Sequence, residues 1–287
     1  MNYFPVEKYK TKKEQFHMYE VDKGKKIMDN ILIALTRKHK FVWHEIHKAI
    51  ETYEPISNEE VKKLSAIDTD KTTIISPFYP TYLKKVFNPP FVLFHSGNYD
   101  LIDNKMIGIV GKIDEAKIEV LKFLASNQYV MNFKLSSMND NDLELLQKNN
   151  IPSIVFCKDI MDVKKEEKYQ KYLNKDNFLF LSEAYEMKYE LKKGYLNQPL
   201  KNYINRAFDK YYINRIFVGH DLPVIVFDKS INNDLGLMGY LSETKHKVYL
   251  YEKQHIKPEY DQYIGAKKLN NLGELKNELF PRREIQK

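Results

Sequence analysis

The sequence is poor in the residues that stabilise secreted and membrane proteins. Its 287 residues hold one cysteine and no long uninterrupted apolar run. The single Cys157 excludes an internal disulfide and a zinc site built from cysteines, which suits a reducing compartment. No stretch approaches the length of a membrane-spanning helix, and the first residues lack the apolar core of a secretion signal. These absences predict a cytoplasmic protein that does not enter a membrane.

Arginine is also scarce, although the chain is basic overall. Lys and Arg total 46 against 39 Asp and Glu, which gives a net charge of +7, and only five of the 46 are arginines. A positive charge of this size is compatible with a polyanionic partner. The abundance of lysine, asparagine, isoleucine and tyrosine is explained equally well by A/T-rich codons. Charge alone therefore leaves the partner open.

The first quarter of the chain has the apolar spacing of helices. The spacing over 28–35 and 41–50 places apolar side chains on one helical face, and Ser57 followed by two glutamates is typical of a helix start. Residues 68–71 are polar and predict a linker. We expect a small helical N-terminal domain over residues 1–72, followed by a second domain over 73–287.

From residue 73 onwards, short apolar runs alternate with amphipathic stretches. Runs that are apolar on both faces are typical of parallel strands buried between two layers of helices. The alternation predicts an α/β fold, a Rossmann-like doubly wound and mostly parallel sheet, with ligands bound beyond the carboxyl ends of its strands. The predicted strands are 106–110, 129–131, 153–157, 178–181, 224–227 and 247–251, and the predicted helices are 114–126, 140–149, 162–173, 199–212 and 234–244.

A first candidate site lies where the strand at 106–110 ends. Gly111 allows a sharp turn, Lys112 adds a cation, and a helix that starts near residue 114 would point free N–H groups at an anion. Asp114 and Glu115 would oppose a phosphate there. There is no GxGxxG motif and no P-loop, so no nucleotide cofactor is expected. A plain strand-to-helix turn is the alternative.

A second candidate site mixes cations with aromatic rings shortly before the strand at 224–227. Such a mixture suits phosphate contacts combined with base stacking. An ordinary amphipathic helix explains the same pattern equally well. The residues are Arg206, Lys210, Tyr211, Tyr212, Asn214 and Arg215.

Other reactive residues give weaker signals. His44 and His47 have no third ligand nearby, so no metal site is predicted, and no catalytic triad can be recognised. Cys157 lies inside a predicted buried strand and is interpreted as a core residue. Glu183 follows a predicted strand and either faces the ligand crevice or caps a helix.

Several short segments form an ordered series along the second part of the chain: 75–83 (ISPFYPTYL), 88–98 (NPPFVLFHSGN), 107–111 (IGIVG), 181–183 (LSE), 214–219 (NRIFVG) and 263–266 (YIGA). In their order and spacing, over roughly residues 75–270, these segments resemble the DNA-processing protein A (DprA/Smf) family. Departures from the family pattern are Ile113, where the family has the arginine of a Gly-Ser-Arg motif, the shortened loop at 132–139, and Ile213 in place of the first arginine of Arg-Asn-Arg.

The resemblance implies a protein that binds single-stranded DNA without catalysis and without a cofactor or metal. It also implies a homodimer that assists the RecA recombinase in DNA recombination or in DNA uptake during natural transformation. Phosphates would lie on Gly111 and Lys112. Further contacts would come from Arg206, Lys210, Tyr211, Tyr212, Asn214 and Arg215.

Two other functions remain open from the sequence. A Rossmann-type nucleotide or nucleoside hydrolase, similar to phosphoribohydrolases, would need a carboxylate in the crevice, and Glu183 is the candidate for it. A scaffold that has lost DNA binding and retains only protein interaction is the other possibility, because the family arginine at position 113 is missing.

Overall fold

A computed structural model describes residues 12–186, 213–252, 254 and 256–281, with side chains from residue 24 onwards. Its centre is a nine-stranded sheet. The strands are β1 (Asp70–Thr73), β2 (Val92–Gly97), β3 (Lys105–Val110), β4 (Tyr129–Lys134), β5 (Ser153–Phe156), β6 (Phe178–Ser182), β7 (Val224–Val226), β8 (Val248–Tyr251) and β9 (Lys267–Leu269).

The strand order confirms the predicted doubly wound α/β fold. Across the sheet the order is β1-β2-β6-β5-β4-β3-β7-β8-β9, and the strands from β6 to β9 are parallel. The strands β1 and β2 form an antiparallel edge beside β6. From β3 the chain winds towards β6 on one side and then from β7 towards β9 on the other. The order therefore reverses between β3 and β7, where such sheets bind ligands.

Side chains of the central strands alternate between two apolar layers. In β3, Ile107 and Ile109 pack into one buried cluster, and Met106 and Val110 pack into the other. This alternation follows from the pleat of a strand. It explains why the strands have continuous apolar sequences.

Helices cover both faces of the sheet. The helices α1, α5, α6, α7, α8 and α12 contribute to the first cluster, and α4, α9, α10 and α11 to the second. Their bounds are α1 (Lys12–Lys38), α2 (Trp43–Glu51), α3 (Asn58–Ser65), α4 (Thr81–Lys84), α5 (Glu115–Ser126), α6 (Asp140–Lys148), α7 (Ile160–Lys165), α8 (Glu167–Leu173), α9 (Asn214–Phe217), α10 (Leu235–Thr244), α11 (Pro258–Ile264) and α12 (Leu272–Leu279). Short 3-10 helices span Tyr99–Asp103, Leu135–Ser137 and Lys229–Asn233.

The structure corrects the predicted linker and one predicted helix. Residues 70–71 belong to β1 rather than to a linker, because this short strand pairs with β2 at the edge of the sheet. The predicted helix 162–173 is two helices, since Glu166 has an extended backbone (φ −80°, ψ 118°) between α7 and α8. The predicted helix 199–212 lies outside the described residues.

The N-terminal helices pack against the sheet. Leu32 and Ile33 of α1 are buried in the same cluster as Phe94 of β2, while Ile46 and Ala49 of α2 form a smaller cluster with neighbouring α1 residues. The division into domains 1–72 and 73–287 stays a prediction. Within the described ranges, no helix has the length and apolar character needed to cross a membrane.

Candidate functional site

The strands β3 and β7 end side by side and form the switch-point crevice. Val110 pairs with Val226, so the residues that follow each strand face one another. Gly111 has a φ of 112°, and a Cβ atom there would lie 2.9 Å from the carboxyl carbon of Asp228. Both the backbone conformation and the close approach require glycine at this position.

Carboxylates already bind the backbone N–H groups of the β3–α5 turn. Lys112 donates its N–H to Asp228 (2.8 Å), and Ile113 donates to Asp142 (3.2 Å). At the start of α5, the N–H of Lys117 is capped by Asp114 (2.9 Å). These are the N–H groups that the sequence predicted to face a phosphate. A phosphate reaches the N–H of Lys112 only if it displaces Asp228.

Asp228 is held in its ionised form. Partial burial raises the pKa of its carboxyl group, but hydrogen bonds from the backbone of Lys112 and from Ser230 outweigh this and lower the pKa below its ordinary value. The hydrogen bond from the N–H of Ser230 measures 2.8 Å. The ammonium of Lys112 adds to the effect, since Lys112 is exposed beside the carboxylate. At the mouth of the crevice, the exposed ammonium of Lys112 therefore lies beside the ionised carboxylate of Asp228.

Arg215 lies deep below this surface. Its side chain is 2% exposed, and its two terminal nitrogens donate to the carboxylate of Glu183 at 2.8 and 2.5 Å. Its Nε donates to the backbone oxygen of Asn88 (2.8 Å). Arg215 thus ties α9 to the end of β6 and to the connection between β1 and β2.

Asn214 is also buried, and its partner is a lysine that was missed as a candidate. The amide oxygen of Asn214 accepts a hydrogen bond from the ammonium of Lys134 (3.0 Å), the last residue of β4. Lys134 is 4% exposed and also pairs with Asp234, which caps α10. The sequence feature that could have identified Lys134 is its position shortly after the predicted strand at 129–131.

The predicted site residues therefore fall into separate groups. Gly111 and Lys112 lie together at the surface of the crevice, and Asn214 and Arg215 are buried residues of α9. Their direct contact with DNA stays a prediction. Arg206, Lys210, Tyr211 and Tyr212 lie outside the described residues.

The reactive residues Glu183 and Cys157 take part in structural contacts. Both oxygens of Glu183 accept from Arg215, so this carboxylate is not free to act on a substrate. Cys157 is buried, as predicted, and burial raises the pKa of its thiol well above the ordinary value. In the part of the chain that the structure describes, no three His, Cys, Asp or Glu side chains form a group that could hold a metal ion.

Comparisons with known proteins agree with this fold. The model of the family described as DNA recombination-mediator protein A matches residues 71–134, which run from β1 to the end of β4. The X-ray structure of DNA processing protein A from Streptococcus pneumoniae is similar with a TM-score of 0.53 and 19% identity, over 87% of this chain and 92% of that chain.

A second solved structure is more distant. DNA processing protein A from Helicobacter pylori, whose structure is described as giving insights into a unique single-stranded DNA binding mode, has a TM-score of 0.47 and 17% identity. The similarity covers 74% of this chain and 96% of that chain. No curated protein sequence matches the chain significantly.

Proposed function

We propose that this chain, a divergent member of the DNA-processing protein A family, binds single-stranded DNA at the carboxyl edge of its sheet without acting as an enzyme. The observation that carries the proposal is the exposed ammonium of Lys112 at the switch point between β3 and β7. This position lies inside the segment that the family model matches. It is the place where sheets of this type bind their ligands.

Lys112 contacts a phosphate of the strand in this proposal. A lysine presents a compact charge rather than the two-pronged donor of arginine, so binding is weaker and less oriented than with the family's arginine. Asp228 lies beside Lys112 and limits how closely a phosphate can approach the backbone. Arg206 and Lys210 supply further cations, and Tyr211 and Tyr212 supply stacking faces.

Asn214 and Arg215 support this interface from below. Their burial favours an indirect role, in which they fix α9 and the backbone around Asn88. Direct contact between Arg215 and DNA would require the guanidinium to leave Glu183. A buried carboxylate without its partner is costly.

Binding of a fluorescent oligothymidylate, followed by anisotropy over a range of salt concentrations, tests the proposal. We expect Lys112→Ala and Lys210→Ala each to weaken binding and to reduce the log–log salt dependence by about 0.7. Lys62→Ala is the control, because Lys62 is an exposed lysine on α3. Unchanged affinity in the double variant Lys112→Ala/Lys210→Ala would remove this interface.

The family resemblance extends the proposal to partners. We infer a homodimer that assists the RecA recombinase in the cytoplasm, in recombination or in DNA uptake. Size-exclusion chromatography with light scattering tests the dimer, and a RecA loading assay on DNA coated with single-strand-binding protein tests the partner. A monomeric protein would contradict the homodimer. RecA loading that is no faster than without the protein would contradict the role as its assistant.

A second candidate function is supported by the carboxylates that bind the N–H groups of the β3–α5 turn. Asp228, Asp142 and Asp114 satisfy the N–H groups where a phosphate was predicted. A scaffold that retains only protein interaction accounts for this arrangement. It predicts no salt-dependent binding of any oligonucleotide by the wild-type chain.

A further inference from the structure

The connection between β1 and β2 (residues 74–91) exposes two large aromatic rings beside two lysines. Phe78 is 76% exposed and Phe87 is 73% exposed. Between them, Lys84 ends α4 and Lys85 follows it, and both side chains are exposed. We call Phe78, Lys84, Lys85 and Phe87 the aromatic ledge.

The ledge is held by buried neighbours. Tyr79 is buried and donates its hydroxyl to the backbone oxygen of Pro90 (2.7 Å). Leu83 and Val86 anchor the remainder of the connection in the core. Tyr99 donates to the backbone oxygen of Phe78 (3.2 Å). The two exposed rings therefore project from an anchored backbone.

The ledge is positively charged. The sequence has no aspartate or glutamate between Lys71 and Tyr99. Among the described residues, neither Lys84 nor Lys85 pairs with a carboxylate, and the ammonium of Lys84 lies 5.7 Å from the centre of the Tyr79 ring. A ligand of the ledge should therefore be an anion.

The ledge lies at the same edge of the sheet as the crevice. The strands β1 and β6 both run antiparallel to β2, so the residues after β1 emerge at the carboxyl ends of the parallel strands. Arg215 binds the backbone of Asn88, next to Phe87. Gly219, which follows α9, approaches the ring of Tyr82 so closely that a Cβ atom there would lie 2.6 Å from it. The ledge and the proposed interface thus share a common support.

We propose that the aromatic ledge is a second contact site for single-stranded DNA, where Phe78 and Phe87 stack on unpaired bases and Lys84 and Lys85 bind phosphates. This inference rests on the proposed function, because it extends the path of the same strand. Single exposed apolar residues are ordinary on protein surfaces. Two rings that flank a lysine pair in a stretch without acidic residues match a stacking platform with cations along the backbone.

Two oligothymidylates of different length, about 6 and about 20 nucleotides, separate the ledge from the crevice. In this proposal we expect the crevice alone to hold the short strand and only the long strand to reach both sites. We expect Phe78→Ala/Phe87→Ala to weaken binding of the long strand by about tenfold or more, with the short strand unaffected. The control is Tyr263→Ala, which removes a ring that is 64% exposed on α11.

The lysine pair has a matched control on α3. Lys84→Ala/Lys85→Ala should reduce the log–log salt dependence of long-strand binding by about 1.4. Lys62→Ala/Lys63→Ala changes the net charge equally at an adjacent pair of exposed lysines, and it should leave the salt dependence unchanged.

Conservative variants distinguish base stacking from docking of a protein. Phe87→Tyr should retain long-strand affinity, and Phe87→Leu should lose it, because only the ring offers a stacking face. A 2-aminopurine base in the long strand should be quenched by wild type and by Phe87→Tyr, but not by Phe87→Leu.

The outcomes separate the two proposals. If wild type binds neither strand, the proposed function fails and the ledge fails with it. If wild type binds both strands and the ledge variants bind like wild type, the ledge is overturned while the proposed function stands. Equal affinity of Phe87→Leu and Phe87→Tyr would also overturn stacking and would indicate a docking surface for another protein.

Discussion

The carboxyl edge of the sheet holds two kinds of cation. Lys134 and Arg215 are 4% and 2% exposed, and each is paired with a buried or partly buried carboxylate. Lys112 and the lysines of the aromatic ledge lie on the surface at the same edge. A basic residue near the end of a strand can therefore stabilise the fold as readily as it can bind a ligand.

Burial decides which role is available. A paired ion in the interior has lost its hydration and depends on its partner, so it is fixed in place. An exposed lysine retains its hydration and can exchange water for a phosphate at small cost. The two groups should therefore respond differently to substitution, with large losses of stability in one and changes of binding in the other.

The largest effect is expected at the buried pair. Arg215→Ala leaves Glu183 charged and unpaired below the surface, which should lower the free energy of unfolding by about 3–5 kcal/mol. Urea denaturation measures this loss. The double variant Arg215→Met/Glu183→Leu removes both charges and should recover much of it. A loss below about 1 kcal/mol in Arg215→Ala would place Arg215 among the ligand-binding cations.

The next largest effect on stability is expected at a buried histidine. His95 of β2 stacks on Tyr99 with ring centres 4.1 Å apart, and burial lowers its pKa to about 4. The unfolded chain binds a proton near pH 6.5. Stability contributed by the neutral ring is therefore present above pH 6.5 and is lost as the pH falls towards 4, by about 2–3 kcal/mol.

Denaturation of wild type and His95→Phe between pH 7.5 and 4.5 checks the direction in which stability changes with pH. The wild type should lose more stability than the variant over the interval, since only the wild type can protonate His95 in the unfolded state. Parallel curves would show that the ring is already accessible to protons in the folded protein.

Gly111 should give an intermediate effect. Gly111→Ala combines a positive φ with a close approach to Asp228, and it should cost about 1–2 kcal/mol of stability. Gly24 in α1 serves as the matched control, because a Cβ atom added there would meet no neighbouring atom within 4 Å. Gly24→Ala should leave stability unchanged or raise it by up to about 1 kcal/mol. Equal changes of the melting temperature in the two variants would contradict the close packing of Gly111 against Asp228.

The smallest effect on stability is expected at the exposed lysine. Lys112→Ala should change the free energy of unfolding by less than about 0.5 kcal/mol, because the backbone N–H that bonds Asp228 is retained. Thermal denaturation beside the anisotropy titration checks this. A loss comparable to that of Arg215→Ala would assign Lys112 to the scaffold.

Sequence patterns predicted the central strands because each is apolar on both faces. The runs at 106–110 and 178–181 lie within strands, and the run at 247–251 covers β8 with one additional residue before it. Three strands were not predicted. The strands β1 (Asp70–Thr73) and β9 (Lys267–Leu269) are short and carry polar side chains at the edges of the sheet, whereas β2 (Val92–Gly97) is an apolar run that was interpreted only as part of the segment 88–98. Edge strands gain their structure from one neighbour and need no apolar run.

The candidate site was predictable only in part. Gly111 and Lys112 follow from the rule that ligands bind where the strand order reverses. The burial of Arg215 was not predictable, because its partner Glu183 lies 32 residues away along the chain. Asp228 reaches Lys112 across 116 residues for the same reason. No local pattern reports such a pairing.

The layered α/β fold follows from the amino-acid sequence, since continuous apolar runs and helical patterns of apolar residues act over short distances. The acid-free stretch between Lys71 and Tyr99 is likewise a property of the sequence. Which cations are neutralised in the interior and which face solvent depends on the folded structure. The free energy of a charge depends on its surroundings, and distant segments supply those surroundings when the chain folds.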